Sequence, residues 1–130
     1  MNYPGERKHL EAERIAEPPL RLKRIDVFPV AIPLKQPMKM AGILIRSAEN
    51  LFVRIESVDG VVGWGEAASA PTMTGETLWG MVSATQLIWD AIKESDIRFA
   101  AALVSKIQSA LHGNMSAKSA VEMALLDLMG

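Results

Sequence analysis

The sequence predicts an α+β domain, a three-stranded antiparallel meander followed by a three-helix bundle. Apolar residues alternate with polar ones through much of residues 20–66, which is typical of strands, and recur at helical spacing after residue 74. Asp59-Gly60 stands between two alternating segments, where it favours a tight hairpin. Because the strands come first and the helices follow, we expect the helices to cover one face of the sheet.

The strands are predicted from alternation and from the residues that interrupt it. Apolar positions between residues 22 and 33 indicate a first strand that ends at Pro33. Residues 34–42 contain a proline and a glycine without a clear period, so we expect a loop. Residues 43–58 are rich in β-branched side chains and predict a second strand. Residues 61–65 form the returning strand.

The first predicted helix follows a loop over residues 67–73. Thr74 is placed to accept a backbone hydrogen bond as the N-cap, and Glu76 lies in the predicted first turn. Polar residues up to Lys93 share one stripe, which predicts a largely buried helix.

Two further helices complete the predicted bundle. Asp96 is a candidate cap for the second, and His112 lies in its expected last turn, where it would contact the free carbonyls. Ser116 begins the third, which would expose Leu125 and Leu128 if nothing followed it.

Composition excludes several classes of function. The 130 residues are 49% apolar and 22% charged, which suits one globular domain. Fourteen basic against 15 acidic side chains argue against a nucleic-acid partner. No apolar run approaches the roughly 18 residues that a membrane span needs, and no signal-peptide pattern is present, so we expect no membrane partner and a cytoplasmic location. Without cysteine there is no disulfide or thiol nucleophile.

Charge is distributed unevenly along the chain. Residues 1–19 are polar and charged and reach Pro18-Pro19, so we interpret them as an extension outside a domain at 20–130. Residues 20–50 carry six basic and two acidic side chains. This surplus could attract an anionic small molecule or could belong to a solvated outer sheet face.

The residues reveal no catalytic or metal-binding constellation by spacing alone. Gly63-Trp64-Gly65-Glu66 lacks the third glycine of a dinucleotide fingerprint, so close packing or a bulge is the better interpretation of its glycines. Glu66 is predicted at a strand end beside a loop. It could act as a general base, or it could accept backbone N–H groups and hold that loop.

Several segments in fixed order carry a family resemblance over residues 20–130. They are Arg24-Ile25-Asp26-Val27, Ile32-Pro33-Leu34, Ala48-Glu49-Asn50 with Val53-Arg54-Ile55, Asp59 through Ala67, Pro71 through Glu76, and Ala117 through Gly130. Together they resemble the amino-terminal capping domain of the enolase superfamily, in its muconate lactonizing enzyme and mandelate racemase branch.

The resemblance implies a two-part enzyme in which this cap covers a carboxy-terminal barrel domain. The implied barrel holds Mg²⁺ and lysine acid/base groups that abstract the proton α to a carboxylate, as an isomerase or lyase. The chain has no barrel, so we expect a fragment of a longer protein that is inactive alone. The implied partners are a small carboxylate-containing substrate, the barrel and further copies in a homo-oligomer.

The resemblance also implies where substrate would contact the cap. Its two specificity loops correspond to residues 34–46 and 67–74. The expected substrate contacts are Lys39, Met40, Gly42, Ile43, Thr72 and Met73.

The segment Pro71 through Thr77 is similar to a loop of dipeptide epimerases, some of which have arginine where Ile43 stands. That departure weighs against a dipeptide substrate and leaves cycloisomerase, racemase and dehydratase activities open. The alternative is a free-standing α+β binding or interaction module without catalysis.

Overall fold

A computed structural model of the chain describes residues 19–130, so the predicted extension lies outside the described residues except for Pro19. Three strands and three helices follow in order: β1 (Leu22–Met40), β2 (Ile43–Ser57), β3 (Val62–Ala68), α1 (Leu78–Ile92), α2 (Ala100–Ser109) and α3 (Met115–Met129). The strands pair antiparallel in the order β1-β2-β3. This confirms the predicted α+β class, with a meander followed by helices.

The first strand is longer than the sequence predicts, because β1 continues through the expected loop at 34–42 to Met40. Its proline residues are tolerated because β1 lies at the sheet edge, and the register is irregular between Pro33 and Met38. The chain then reverses at Ala41 and Gly42, whose φ angles are 52° and 78°. Alanine seldom adopts positive φ, so no residue pattern indicated this two-residue turn.

The second hairpin is confirmed, although its turn is longer than the two residues predicted. Ser57 N–H donates to the Val61 carbonyl at 2.9 Å, and Gly60 N–H donates to the Ser57 carbonyl at 3.0 Å. Gly60 has a φ of +84°, whereas Asp59 is not among the residues with positive φ. The turn therefore needs one left-handed residue rather than two.

The core lies between the sheet and the helices. Leu51, Val53 and Ile55 alternate along β2 and are fully buried. Beside them β3 approaches α3 so closely that a Cβ on Gly65 would lie 1.9 Å from the Ala120 carbonyl oxygen. A Cβ on Gly63 would likewise lie 2.0 Å from a backbone oxygen of α3. The close-packing interpretation of these glycines is thus confirmed.

One expectation for the third helix, the exposure of two leucines, is contradicted by the structure. Leu125 and Leu128 are 2% and 7% exposed, so the expectation that they would face solvent is wrong. They lie on the face that packs into the core, and Leu126 is exposed instead.

Two predicted helix caps are also wrong. Helix α1 begins at Leu78, and its N-cap is Thr77, whose Oγ1 accepts from Gly80 N–H at 3.0 Å. Thr74 lies in the loop before the helix. Helix α2 begins at Ala100 after Phe99, so Asp96 lies too far upstream to cap it.

Asp96 has a different role, since it fixes the turn that leads into α2. Its carboxylate accepts from the Arg98 guanidinium at 2.6 Å and from the Leu20 backbone N–H at 3.3 Å. Arg98 stabilises the charged form, and the pKa of Asp96 falls to about 2. This contact links the turn to the residues before β1.

Lys118, not His112, satisfies the carbonyls at the end of α2. The Lys118 side chain is 3% exposed, and its Nζ donates to the carbonyls of Gln108 at 3.0 Å and Leu111 at 2.6 Å. His112 lies in the turn after α2, where its own carbonyl accepts from Asn114. The prediction for His112 is wrong because the helix ends three residues earlier, at Ser109.

Candidate functional site

A cavity of about 250 Å³ lies between the tip of the first hairpin and the loop that follows β3. We refer to it as the tip cavity. Its hairpin wall is formed by Met40, Ile43, Leu44, Ile45, Arg46, Ser47 and Glu49. Its loop wall is formed by Ser69, Ala70, Pro71, Thr72 and Met73. Segments far apart in the sequence thus meet at one end of the domain.

The tip cavity brings together four of the six residues expected to contact substrate. Met40, Ile43, Thr72 and Met73 line it, and all four are exposed. Lys39 and Gly42 are exposed on the same hairpin but are not among the lining residues. The role of all six residues as substrate contacts stays a prediction.

The loop wall is held by backbone hydrogen bonds at both ends. Ser69 N–H donates to the Glu49 carbonyl at 2.8 Å, which ties the loop to β2. Ala70 N–H donates to the Glu76 carbonyl at 3.0 Å, and the Ala70 carbonyl accepts from Thr74 N–H at 2.8 Å. The loop therefore closes on itself and presents Thr72 and Met73 at its exposed end.

Glu76 connects the base of this loop to the third helix. Its buried carboxylate accepts from Ser116 N–H at 3.0 Å and from Ala117 N–H at 3.2 Å. These are free donors of the first turn of α3, where the helix dipole favours negative charge. The prediction placed Glu76 in the first turn of α1, which is wrong because that helix begins two residues later.

Glu66 does not hold the loop, since its exposed side chain makes no hydrogen bond within residues 19–130. It borders a separate surface depression beside Ser116 and Ser119 at the start of α3. The loop-holding role that the sequence suggested for Glu66 belongs to Glu76, ten positions later.

Sequence reasoning missed the part of the tip cavity formed by the middle of β2. Ile45, Ser47 and Glu49 lie there, and their every-second-residue spacing continues that of the buried positions of β2. Extending that alternation toward the hairpin would have found them. Within the part of the chain that the structure describes, no group of three or more metal-ligating side chains occurs.

The opposite face of the sheet carries a charged cluster. Arg24 donates to Asp26 at 2.9 Å, and Arg54 lies 3.3 Å from both Asp26 and Glu56. The hydrogen bond from Arg24 lowers the pKa of Asp26. Of the six basic residues of segment 20–50, Arg24 belongs to this cluster.

Comparison with known proteins identifies the family. Residues 23–130 match the family model described as mandelate racemase / muconate lactonizing enzyme, N-terminal domain. The chain belongs to this family. The resemblance recognised in the sequence is thereby confirmed over almost the whole range assigned to the domain.

Two curated relatives and one solved structure show what the chain resembles. It is 38% identical over 109 residues to the L-Ala-D/L-Glu epimerase of Bacillus subtilis, covering 83% of this chain and 30% of the relative. It is 35% identical over 99 residues to the hydrophobic dipeptide epimerase of Citrifermentans bemidjiense, covering 76% and 27%. A substrate-liganded structure of the Bacillus subtilis enzyme superposes with a TM-score of 0.76 at 39% identity, covering 81% of this chain and 30% of that one.

The chain therefore spans about 30% of the length of the curated relatives it matches. Both of these relatives are named as epimerases. Among the described residues, no helix is long and apolar enough to cross a membrane.

Proposed function

We propose that this chain is the substrate-specificity cap of a Mg²⁺-dependent dipeptide epimerase that moves the proton α to a carboxylate. The observation that carries the proposal is the tip cavity, because two separate loops build it and it gathers four of the six expected contacts. The relatives act on dipeptides, according to their names. In this proposal, the departure at Ile43 from the arginine of some dipeptide epimerases bears on which dipeptide is bound rather than on whether one is bound.

The cap contributes binding and orientation in this proposal. Met40, Ile43, Thr72 and Met73 contact the substrate inside the tip cavity, with Lys39 and Gly42 beside it on the hairpin. Closure of the hairpin and loop over a bound substrate would exclude water from the reacting carbon. The tight backbone closure of the 69–76 segment supports this role, because it presents the contact residues on a defined scaffold.

The proton transfer itself is assigned to a barrel segment outside this chain. The family resemblance implies that this segment also holds the metal ion. Mg²⁺ on the barrel would supply positive charge for the carboxylate as negative charge develops there. The residues of this chain position the substrate and surround it.

The parent protein is further proposed to be a cytoplasmic homo-oligomer. Support for self-association comes from the open sheet face, where the rings of Phe28 and Trp64 lie 5.7 Å apart and are 42% and 48% exposed. Exposed aromatic pairs of this kind are frequent at interfaces between subunits. The cytoplasmic location stays a prediction.

The test uses the protein expressed from its full open reading frame. It is incubated in D₂O with Mg²⁺ and L-Ala-L-Leu, L-Ala-L-Glu or L-Ala-L-Lys, and loss of the α-proton signal is followed by ¹H NMR. We expect exchange with at least one dipeptide, its loss with EDTA and its recovery with Mg²⁺. A folded protein that exchanges none of them would contradict the proposal and favour the free-standing binding module.

A pair of variants tests whether the tip cavity takes part. Ile43→Asp places a charge in the cavity and is expected to raise KM at least about tenfold, because an unpaired charge is costly to desolvate. Leu87→Asp makes the same change on α1, where Leu87 is 53% exposed compared with 45% for Ile43. Equal KM values for the two variants would contradict a role for the cavity in substrate binding.

A further inference from the structure

The loop wall of the tip cavity is tied to the rest of the domain by hydrogen bonds at its two ends. At the first end, Ser69 N–H donates to a carbonyl of β2 at 2.8 Å. At the second end, the carboxylate of Glu76 lies 3.0 and 3.1 Å from the nitrogen of Ser116 and 3.2 Å from that of Ala117. The second tie therefore joins the loop to the first turn of α3.

Helix α3 depends on this carboxylate because its own N-cap does not supply an acceptor. The N-cap residue, Asn114, has a φ of 54° and makes no side-chain hydrogen bond to the helix. Its side-chain amide instead donates to the carbonyl of His112. Hydrogen bonds to an ionised acceptor are stronger than neutral ones, and the helix dipole adds to them at this end. The contact is thus well suited to hold a loop against a helix.

Glu76 can act on the tip cavity without touching what the cavity contains. It is 7% exposed and is not among the lining residues. Its carbonyl accepts from Ala70 N–H at 3.0 Å, and the Ala70 carbonyl accepts from the N–H groups of Met73 at 3.1 Å and Thr74 at 2.8 Å. Two successive hydrogen bonds therefore connect Glu76 to the exposed end of the loop, where Thr72 and Met73 line the cavity.

We propose that Glu76 is a positioning residue for substrate binding, because its carboxylate fixes the loop wall of the tip cavity on the first turn of α3. The inference rests on the proposed function and deepens it. Without the carboxylate, the loop keeps its tie to β2 at Ser69 but loses its tie to α3. Thr72 and Met73 then no longer stand at a set distance from the hairpin wall.

The kinetic test uses the protein expressed from its full open reading frame and whichever of L-Ala-L-Leu, L-Ala-L-Glu and L-Ala-L-Lys it turns over fastest. Glu76→Ala is expected to raise KM about tenfold, because a displaced wall no longer meets the substrate. We expect kcat to stay within about twofold, since the loop contributes binding rather than proton transfer. An unchanged KM, or a fall in kcat alone, would overturn the inference.

Lys118→Ala is the matched control, since it removes another buried charged contact from the start of α3. Lys118 is 3% exposed, and its Nζ donates to the carbonyls of Gln108 and Leu111 rather than to the loop. Its loss should destabilise the fold as well, because two buried carbonyls lose their donor. We expect the control to keep the KM of the unmodified protein. An equal rise of KM in both variants would make the effect one of stability and would overturn the inference.

Hydrogen exchange gives a readout that does not depend on activity. The amide hydrogens of Met73 and Thr74 are followed under conditions in which all variants are folded. We expect them to exchange at least about tenfold faster in Glu76→Ala than in the unmodified protein, and at the unmodified rate in Lys118→Ala. Unchanged protection in Glu76→Ala would mean that the loop is held by its own closure, which would overturn the inference.

Glu76→Gln decides the question if Glu76→Ala fails to fold. The amide keeps the length and one acceptor oxygen but loses the charge, so we expect faster exchange at Met73 and Thr74 and a smaller rise of KM. Unmodified values of both quantities would overturn the role of the carboxylate. If the unmodified protein turns over no dipeptide, the proposed function fails, and the exchange measurement still decides whether Glu76 holds the loop.

Discussion

Two regions of this domain differ in how closely their residues pack. Where β3 meets α3, Gly63 and Gly65 let two backbones approach so closely that a single added carbon would overlap a carbonyl oxygen. At the tip cavity the lining side chains of Ile43 and Met73 are 45% and 62% exposed. The first region fixes the position of the loops, and the second is free to vary in chemistry without disturbing the core.

Glu76 links these regions physically. Its backbone closes the loop wall of the cavity through Ala70, and its carboxylate holds the first turn of α3, the helix that packs on Gly65. We call the contact of Gly63 and Gly65 with α3 the seam. Changes at the seam and at Glu76 should therefore reduce the stability of the fold, whereas changes in the tip cavity should alter substrate selectivity.

The largest expected effect is at the seam. Gly65→Ala would place a Cβ 1.9 Å from the Ala120 carbonyl oxygen, so β3 and α3 must separate. We expect the free energy of unfolding to fall by about 3 kcal/mol, at the upper end of the usual range for overpacking. Urea unfolding of the purified protein measures the loss.

Gly60→Ala serves as the matched control for the seam variant. Its Cβ would have no heavy atom within 4 Å, but its φ of +84° is strained for alanine. That strain is expected to cost about 1 kcal/mol. If the two variants lose the same stability, the close approach of β3 to α3 is not what distinguishes the seam.

A smaller loss of stability is expected when the Glu76 carboxylate is removed. Glu76→Ala leaves the backbone N–H groups of Ser116 and Ala117 without their acceptor, which should cost about 2 kcal/mol. Glu66→Ala is the control, and it should change stability by less than about 0.5 kcal/mol because that carboxylate is exposed. Similar losses in the two variants, measured by urea unfolding, would contradict the role assigned to Glu76.

The smallest expected effect on stability comes from Asp96 and depends on acidic pH. The pKa of Asp96 is about 2 in the folded protein, below its ordinary value of 3.8, so its contribution to stability is present above pH 4 and is lost as the pH falls through 2. Asp96→Asn should therefore lower Tm at pH 5 and should show a shallower fall of Tm between pH 4 and 2. Parallel curves for the two proteins would contradict this account.

The sequence predicted more of the packed region than of the cavity. Alternation along β2 and the glycines of β3 specified the core because burial and close approach restrict residue type directly. The Ala41-Gly42 turn escaped prediction, since alanine does not signal positive φ. The roles of Glu76 and Lys118 also escaped prediction, because each residue binds backbone groups of a different part of the chain. Glu76 precedes α1 but accepts from the first turn of α3, and Lys118 belongs to α3 but donates to a carbonyl just after α2.

The contacts expected in the tip cavity came from the family resemblance rather than from the residues themselves. An exposed Ile43 or Met73 has no local pattern that separates a binding residue from an ordinary surface residue. Only the fold brings the hairpin and the loop together, so the cavity could not be assembled from periodicity or spacing.

A crystal structure of the protein from its full open reading frame, with L-Ala-L-Leu bound, tests the central claim most directly. The account predicts that the leucine side chain lies in the tip cavity, within about 4.5 Å of Ile43 and Met73. A bound dipeptide whose leucine side chain lies elsewhere, with neither residue in contact, would contradict it.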